Sequence, residues 1–149
     1  MSTRTLALVS LSLWVFVIIV GLGAYLRLRS GPSVDKRQVV AVNDEERDAV
    51  LKEMRGMLTS LQGIMAGLAA HDLGQVAAAA KASGMAEAAD PALEAKLPGV
   101  WMKLATAVHG QFDELAASAA AHAATDQLLG KLNVQLQSCV ACHVVYRLP

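Results

Sequence analysis

Residues 125–149, TDQLLGKLNVQLQSCVACHVVYRLP, decide the fold of this 149-residue chain. Apolar side chains recur in this stretch at helical intervals, and no proline interrupts it before its last position. Such spacing is typical of a helix that buries one face. It predicts a helix from about Thr125 to about Tyr146, with these leucines facing inward: Leu128, Leu129, Leu132 and Leu136.

The predicted helix carries a Cys-x-x-Cys-His motif at residues 139–143, CVACH. Side chains at positions i, i+3 and i+4 share one helix face, so both thiols and the imidazole point the same way. This motif is the attachment signature of c-type haem, in which the two thiols add to the haem vinyl groups as thioethers. It predicts one covalently attached haem c, bound through Cys139 and Cys142, with His143 as the proximal ligand of the iron.

Two other uses of paired cysteines fit the chain less well. A thioredoxin-type Cys-x-x-Cys belongs near a βαβ pattern, which the sequence does not show. A structural zinc site takes four ligands, usually from two separated pairs, and Cys139 and Cys142 are the only cysteines in the chain. The haem interpretation is therefore preferred.

Two helical patterns lie in the first half of the predicted domain. The first begins after Asn43, which forms a capping box with Glu46, and it ends near His71. A shorter helix follows Asp72 and ends near Gly84. The apolar stripe predicted for the first of these helices consists of Leu51, Met54, Leu58, Leu61, Met65 and Leu68.

The second half of the domain adds a third helix before the motif helix. Residues 85–97 predict a loop with a short turn around Pro91, and the third helix runs from Pro98 to about Ala121. Short connections between successive helices favour an antiparallel arrangement. We therefore predict an all-α chain in which residues 44–149 form an antiparallel four-helix bundle.

The N-terminal region has the composition of a membrane segment. Residues 5–26 contain no charged side chain. At about 1.5 Å per residue they are long enough to cross a bilayer core of about 30 Å. Residues 1–29 are predicted to form a transmembrane anchor, and residues 30–43 a linker. A cleaved signal peptide, with small residues at 21–24, is the alternative.

Charge and composition exclude several classes of function. The chain has 13 basic and 13 acidic side chains, so it lacks the basic surface expected of a protein that binds nucleic acid. No Ser-His-Asp arrangement, Gly-rich phosphate loop or inward pair of carboxylates is evident in the sequence. We therefore predict that the protein is not an enzyme and binds no nucleic acid.

The C-terminal stretch CVACHVVYR, at the end of the fourth helix of an alanine-rich domain, resembles the cytochrome c prime family and its methionine-ligated, low-spin relatives. The resemblance covers roughly residues 44–148. It implies that Arg147 lies beside the haem on the proximal side, and it leaves a homodimer as an open alternative. The residues that carry it are Cys139, Cys142, His143, Tyr146 and Arg147.

The same resemblance implies where the sixth iron ligand is. In the family, the first helix of the bundle supplies the residue that faces the distal side of the iron. That residue is a methionine in the branch that transfers electrons and apolar in the branch that binds NO or CO. Counting back from the end of the helix places it at Met54, with Met57 and Met65 as competing methionines and Leu51 as the apolar choice.

The other histidines are weaker candidates for iron ligands. His109 lies on the third predicted helix, where it could face inward and give a bis-histidine haem, or lie at the helix surface. His71 and His122 lie at predicted helix ends, where a solvated or C-terminal capping role is the simpler interpretation.

These features together predict a function in electron transfer. Haem c is attached on the outer side of the bacterial inner membrane, so the motif predicts a single-pass protein of that membrane with its haem domain in the periplasm. We expect it to transfer single electrons to redox partner proteins, alone or as a subunit of a larger respiratory or photosynthetic membrane complex. The alternative is a five-coordinate haem protein that binds NO or CO.

Overall fold

The computed structural model describes residues 3–29, 35–87 and 91–149. The prediction of an all-α chain is confirmed, because helices account for most of these residues. The helices are α1 (Thr3–Arg29), α2 (Asp44–Ala69), α3 (Leu73–Lys81), α4 (Pro91–Glu94), α5 (Gly99–Ala120) and α6 (Thr125–Val145). A 3₁₀ turn (Met85–Glu87) and two short strands, β1 (Gln38–Val39) and β2 (Tyr146–Arg147), complete the described elements.

The chain divides into two compact units, with the boundary between Lys36 and Arg37. In the first unit, the segment Leu8–Leu28 of α1 has a mean hydropathy of 2.3, and none of it is buried. By length and composition, α1 is therefore able to span a membrane. An N-terminal signal sequence would have the same properties.

In the second unit, the long helices pack against their neighbours in chain order, α2 on α3, α3 on α5 and α5 on α6. All four contribute to one apolar core, which we call the main core. It consists of Ile64, Leu68, Val76, Ala80, Val108, Phe112, Leu115, Ala116, Ala119, Leu128 and Leu132.

The caps of α2 explain its bounds. The Asn43 side chain accepts a hydrogen bond from the Glu46 amide, and the Glu46 carboxylate accepts one from the Asn43 amide, both at 2.9 Å. This confirms the capping box. At the other end His71 has a φ of 56°, and the amide of Asp72 donates to the Gly67 carbonyl at 2.9 Å.

His122 ends α5 in the same way, with a φ of 57° and a 3.0 Å hydrogen bond from the amide of Ala123 to the Ser118 carbonyl. This left-handed geometry is that of a Schellman cap, in which the residue after the C-cap reverses the chain and satisfies the last carbonyls. The prediction that His71 and His122 lie at helix ends is confirmed.

The buried stripe of α2 differs from the predicted one. Leu58 and Met65 are 66% and 52% exposed, whereas Ile64 is fully buried. The reason is close contact with α3: a Cβ on Gly63 would lie 2.8 Å from the Cβ of Ala79. Because small residues on α2 let α3 approach closely, they lie on the buried face, which a pattern of large apolar residues does not reveal.

The predicted inner face of α6 also requires correction. Leu128 and Leu132 are buried as predicted, but Leu129 and Leu136 are 44% and 42% exposed. Because α6 packs on α5 along a narrow stripe, the leucines one position after its buried residues Leu128 and Gln135 face away from the core. The same stripe buries the polar side chain of Gln135.

The predicted linker over residues 30–43 is too long. β1 pairs in parallel with β2, placing Gln38 opposite Tyr146, and the Val40 amide donates to the Arg147 carbonyl at 2.9 Å. Val40 is only 1% exposed. Residues 37–43 therefore belong to the helical unit, because their backbone pairs with the C-terminal strand. Residues 30–34 lie outside the described part of the chain.

The same pairing sets the end of the last helix. Tyr146 is extended, with φ −114° and ψ 150°, so α6 ends at Val145 and the chain continues as β2.

Candidate functional site

A crevice lies between α2, α5 and α6 at the end of the unit that contains the Cys-x-x-Cys-His motif. It holds about 540 Å³ of space, a volume that includes the part open to solvent at its mouth. Most of its wall is apolar. The residues that line it are Glu53, Met54, Met57, Trp101, Leu104, Ala105, Val108, His109, Ser138, Cys139, Cys142 and His143.

All three motif side chains border this crevice. α6 continues through the motif to Val145, so Cys139, Cys142 and His143 share one helix face as predicted. Both cysteines are free and partly buried. Burial raises the pKa of the Cys139 thiol. The pKa of the Cys142 thiol is raised mainly by burial and to a smaller extent by the charge of the neighbouring Cys139. The thiols therefore face an apolar space from its wall.

α2 also contributes to the lining of the crevice. Met54 and Met57 both line it, and Met54 is half-buried. Leu51 and Met65, the other candidates, are not among the lining residues, and Met65 is largely exposed. The structure thus brings Met54 and Met57 to the same crevice as the motif and Leu51 to a neighbouring groove that Met54, Cys142 and His143 also line, whereas Met65 lines neither.

His109 forms a buried ion pair at this wall. It is 3% exposed, and its Nε2 lies 2.7 Å from Oε1 of Glu53 while its Nδ1 lies 2.8 Å from the Ser83 carbonyl oxygen. The hydrogen bond with Glu53 raises the pKa of His109, and burial opposes this effect. A carbonyl and a carboxylate both accept, so the ring donates from both nitrogens as an imidazolium.

This geometry speaks against the bis-histidine alternative, because both ring nitrogens are already hydrogen-bonded to protein groups. The sequence leaves open whether His109 faces inward, and the structure places it inside. Glu53 was missed entirely. No local pattern could identify the pair, since the two residues are 56 positions apart and meet only in the tertiary fold.

A second groove adjoins the crevice on the side of the C-terminal strand. Arg147 lines it together with Met54, Cys142 and His143. Arg37 also lines it, and its Nη1 donates to the His143 carbonyl oxygen at 3.2 Å. Arg37 was missed because it lies in the segment predicted as linker.

Trp101 and Tyr146 close the base of this groove. Their rings meet edge to face, with centroids 5.4 Å apart and an angle of 67° between the planes. They belong to a second apolar cluster, which we call the site cluster, formed by Val40, Val50, Leu93, Trp101 and Tyr146. Met54 and Cys142 pack against it. The site cluster therefore supports both walls of the crevice.

Within residues 3–29, 35–87 and 91–149, no group of three or more His, Cys, Asp or Glu side chains could hold a metal ion. A haem iron needs no such group, because the porphyrin supplies its equatorial ligands.

Comparison with known proteins adds no assignment: no family model, no curated protein and no solved structure matches this chain.

Proposed function

We propose that the chain is a membrane-anchored c-type cytochrome that transfers single electrons through one haem c, bound covalently by Cys139 and Cys142. The observation that carries the proposal is the shared crevice. It brings both thiols, the imidazole of His143 and the thioethers of Met54 and Met57 to the lining of one space.

The chemistry of these donors fits haem. Two thiols on one face suit two thioether bonds, and an imidazole and a thioether are both established axial ligands of haem iron. The apolar wall from Trp101, Leu104 and Val108 suits the flat apolar body of a porphyrin. A bound haem would supply one-electron chemistry, since its iron alternates between the ferrous and ferric states.

In this proposal each side chain has a distinct task. His143 is the proximal ligand and Met54 the distal ligand, and the thioether raises the reduction potential relative to a second imidazole. Arg147, in the adjoining groove, places a positive charge beside the proximal side. The apolar walls exclude water from the iron.

The proposal includes the arrangement of the unit as an antiparallel four-helix bundle of the cytochrome c prime type. The sequential contacts of α2, α3, α5 and α6 support it, as does the main core that all four share. The C-terminal position of the motif supports it as well.

The proposed location follows from α1 and from the chemistry of attachment. α1 would anchor the chain in the bacterial inner membrane as a single span, with the haem unit in the periplasm. There it would meet redox partner proteins, alone or within a larger respiratory or photosynthetic complex. A homodimer is compatible with this location.

The distal ligand is tested by absorption spectra and CO binding of the full-length protein. We expect the wild type to be low-spin and six-coordinate in both oxidation states and to bind CO weakly. Met54→Ala should become accessible to CO and have a lower potential, because axial ligation sets both properties. Met57→Ala is the matched control, since Met57 lines the same crevice from the same helix and should leave the spectrum unchanged.

Packing alone predicts a different result for Met54→Ala. Loss of a core methionine lowers the free energy of unfolding by about 2–5 kcal/mol without changing the spectrum. If the wild type binds CO readily and Met54→Ala has the same spectrum, the electron-transfer proposal fails. The five-coordinate protein that binds NO or CO would then take its place.

A further inference from the structure

The Glu53–His109 pair connects three parts of the unit beside the proposed distal ligand. Glu53 lies on α2 directly before Met54, and His109 lies on α5. The Nδ1 of His109 also bonds the Ser83 carbonyl, in the turn after α3. One buried ring therefore connects α2, α5 and this turn at the level of the crevice.

The same pair lines two spaces. The crevice and a second, outer cavity share three lining residues, Glu53, Met57 and His109. The outer cavity has a mixed lining, with charged residues such as Lys52 and Glu87 beside apolar ones such as Leu93. The pair thus lines both the apolar crevice and this cavity of mixed polarity.

Stability alone does not account for an ion pair at this position in which His109 is buried and Glu53 is mostly buried. Removing two charges from water costs about as much as their attraction returns, and apolar side chains of the same volume often stabilise a fold as well or better. Buried ionic groups do fix one arrangement of the elements that they join, because any other arrangement leaves a buried charge unpaired. Here the arrangement concerns the turn of α2 that presents Met54.

We propose that the Glu53–His109 bridge is a positioning device for the distal side of the site. It holds the turn of α2 that carries Met54 against α5, so that the thioether stays in the crevice and the wall toward the outer cavity stays closed. His109 and Glu53 act through Met54 and are not iron ligands. This inference rests on the proposed function, in which Met54 binds the iron.

The expected signature is a gain in CO affinity, because CO binds only the fraction of molecules in which the distal position is free. The apparent affinity rises in proportion to that fraction. Loss of a hydrogen bond to a charged group should increase the fraction by about tenfold. We expect this increase in reduced, full-length His109→Ala and Glu53→Ala, together with a lower reduction potential.

A conservative variant and a packing control separate positioning from general loosening. Glu53→Gln keeps an acceptor oxygen for the His109 ring but removes the counter-charge, so it should raise the CO affinity by less than the tenfold change expected when Glu53→Ala loses the bond as well. Ser60→Ala removes a buried 2.8 Å hydrogen bond between the hydroxyl of Ser60, on α2, and that of Ser83, in the turn after α3. Ser60 does not line the crevice, so this variant should lower the melting temperature and leave CO affinity and potential unchanged.

The outcomes are distinguishable. If Met54→Ala opens the site to CO and neither Glu53→Ala nor His109→Ala does, the positioning role is wrong and the proposed function stands. If Ser60→Ala raises CO affinity as much as His109→Ala, the bridge acts only through stability and the inference is overturned. If Met54→Ala changes neither spectrum nor CO affinity, both the distal ligand and the inference fail. Should His109→Ala not fold, the two Glu53 variants decide, since the Glu53 side chain is 25% exposed.

Discussion

The two ends of the helical unit are built differently. The main core, around Phe112 and Leu115, consists only of apolar side chains that fill the space between four helices. The site cluster, around Trp101 and Tyr146, also takes residues from the segment before α2 and from the C-terminal strand, and beside it lie the crevice and the Glu53–His109 ion pair. One end is thus closed by its own side chains, and the other leaves an open crevice. The difference indicates that packing in the main core and the geometry of the crevice can be changed separately.

The largest effect is expected in the main core. Phe112 is 1% exposed, so Phe112→Ala should lower the free energy of unfolding by about 3–5 kcal/mol through lost burial and a cavity. Because Phe112 does not line the crevice, the folded variant should keep the absorption spectrum of the wild type. Chemical denaturation and a spectrum of the folded protein measure both. A changed spectrum would show that the main core and the crevice are coupled and that the two ends of the unit are not independent.

A smaller effect should come from the segment before α2. Val40 is buried in the site cluster, so Val40→Ala should lower the free energy of unfolding. The upper limit is about 1.5–3 kcal/mol, which is the contribution of burying a whole valine side chain. Val39 is its matched control, because it is the neighbouring valine and is 45% exposed, and Val39→Ala should stay within about 0.5 kcal/mol. If the two substitutions lower the free energy of unfolding equally, residues 37–43 do not pack on the helical unit and act as a linker.

The smallest effect should be electrostatic and depend on pH. Asp113 accepts hydrogen bonds from Lys81 Nζ at 2.7 Å and from the Met85 amide at 2.9 Å. Both bonds hold the pKa of Asp113 below its usual value, and the bond from Lys81 has the larger effect. A lowered folded pKa contributes stability that is present above the unfolded pKa of about 3.9 and is lost as the pH falls through the folded pKa.

Asp113→Asn should therefore be less stable than the wild type at neutral pH, and the gap should shrink as the pH falls below about 4. Denaturation midpoints measured across that range test it. A gap that stays constant from neutral to acidic pH would contradict the assigned ionic contact.

The sequence predicted the features that depend on neighbours in the chain. The capping box at Asn43, the positions of His71 and His122 at helix ends, and the helical face shared by Cys139 and Cys142 all follow from local spacing. Each was correct because the interactions that define it lie within one helix turn.

The features that sequence could not supply depend on contacts between distant segments. Leu58 and Leu136 carry the right residue type at nearly the right spacing, but the close approach of α3 and the narrow contact of α5 decide which face is buried. The Glu53–His109 pair and the contact of Arg37 with His143 join residues 56 and 106 positions apart. No periodicity connects such positions.

The central claim, covalent attachment of one haem through the motif, is tested most directly by denaturing gel electrophoresis followed by staining for haem. The account predicts a stained band at the monomer mass of 15.6 kDa for the protein expressed with its attachment machinery, stable to acid–acetone extraction. The band should be lost in Cys139→Ser/Cys142→Ser. A wild-type chain that carries no stain, or that releases its colour to acid–acetone, would contradict the claim.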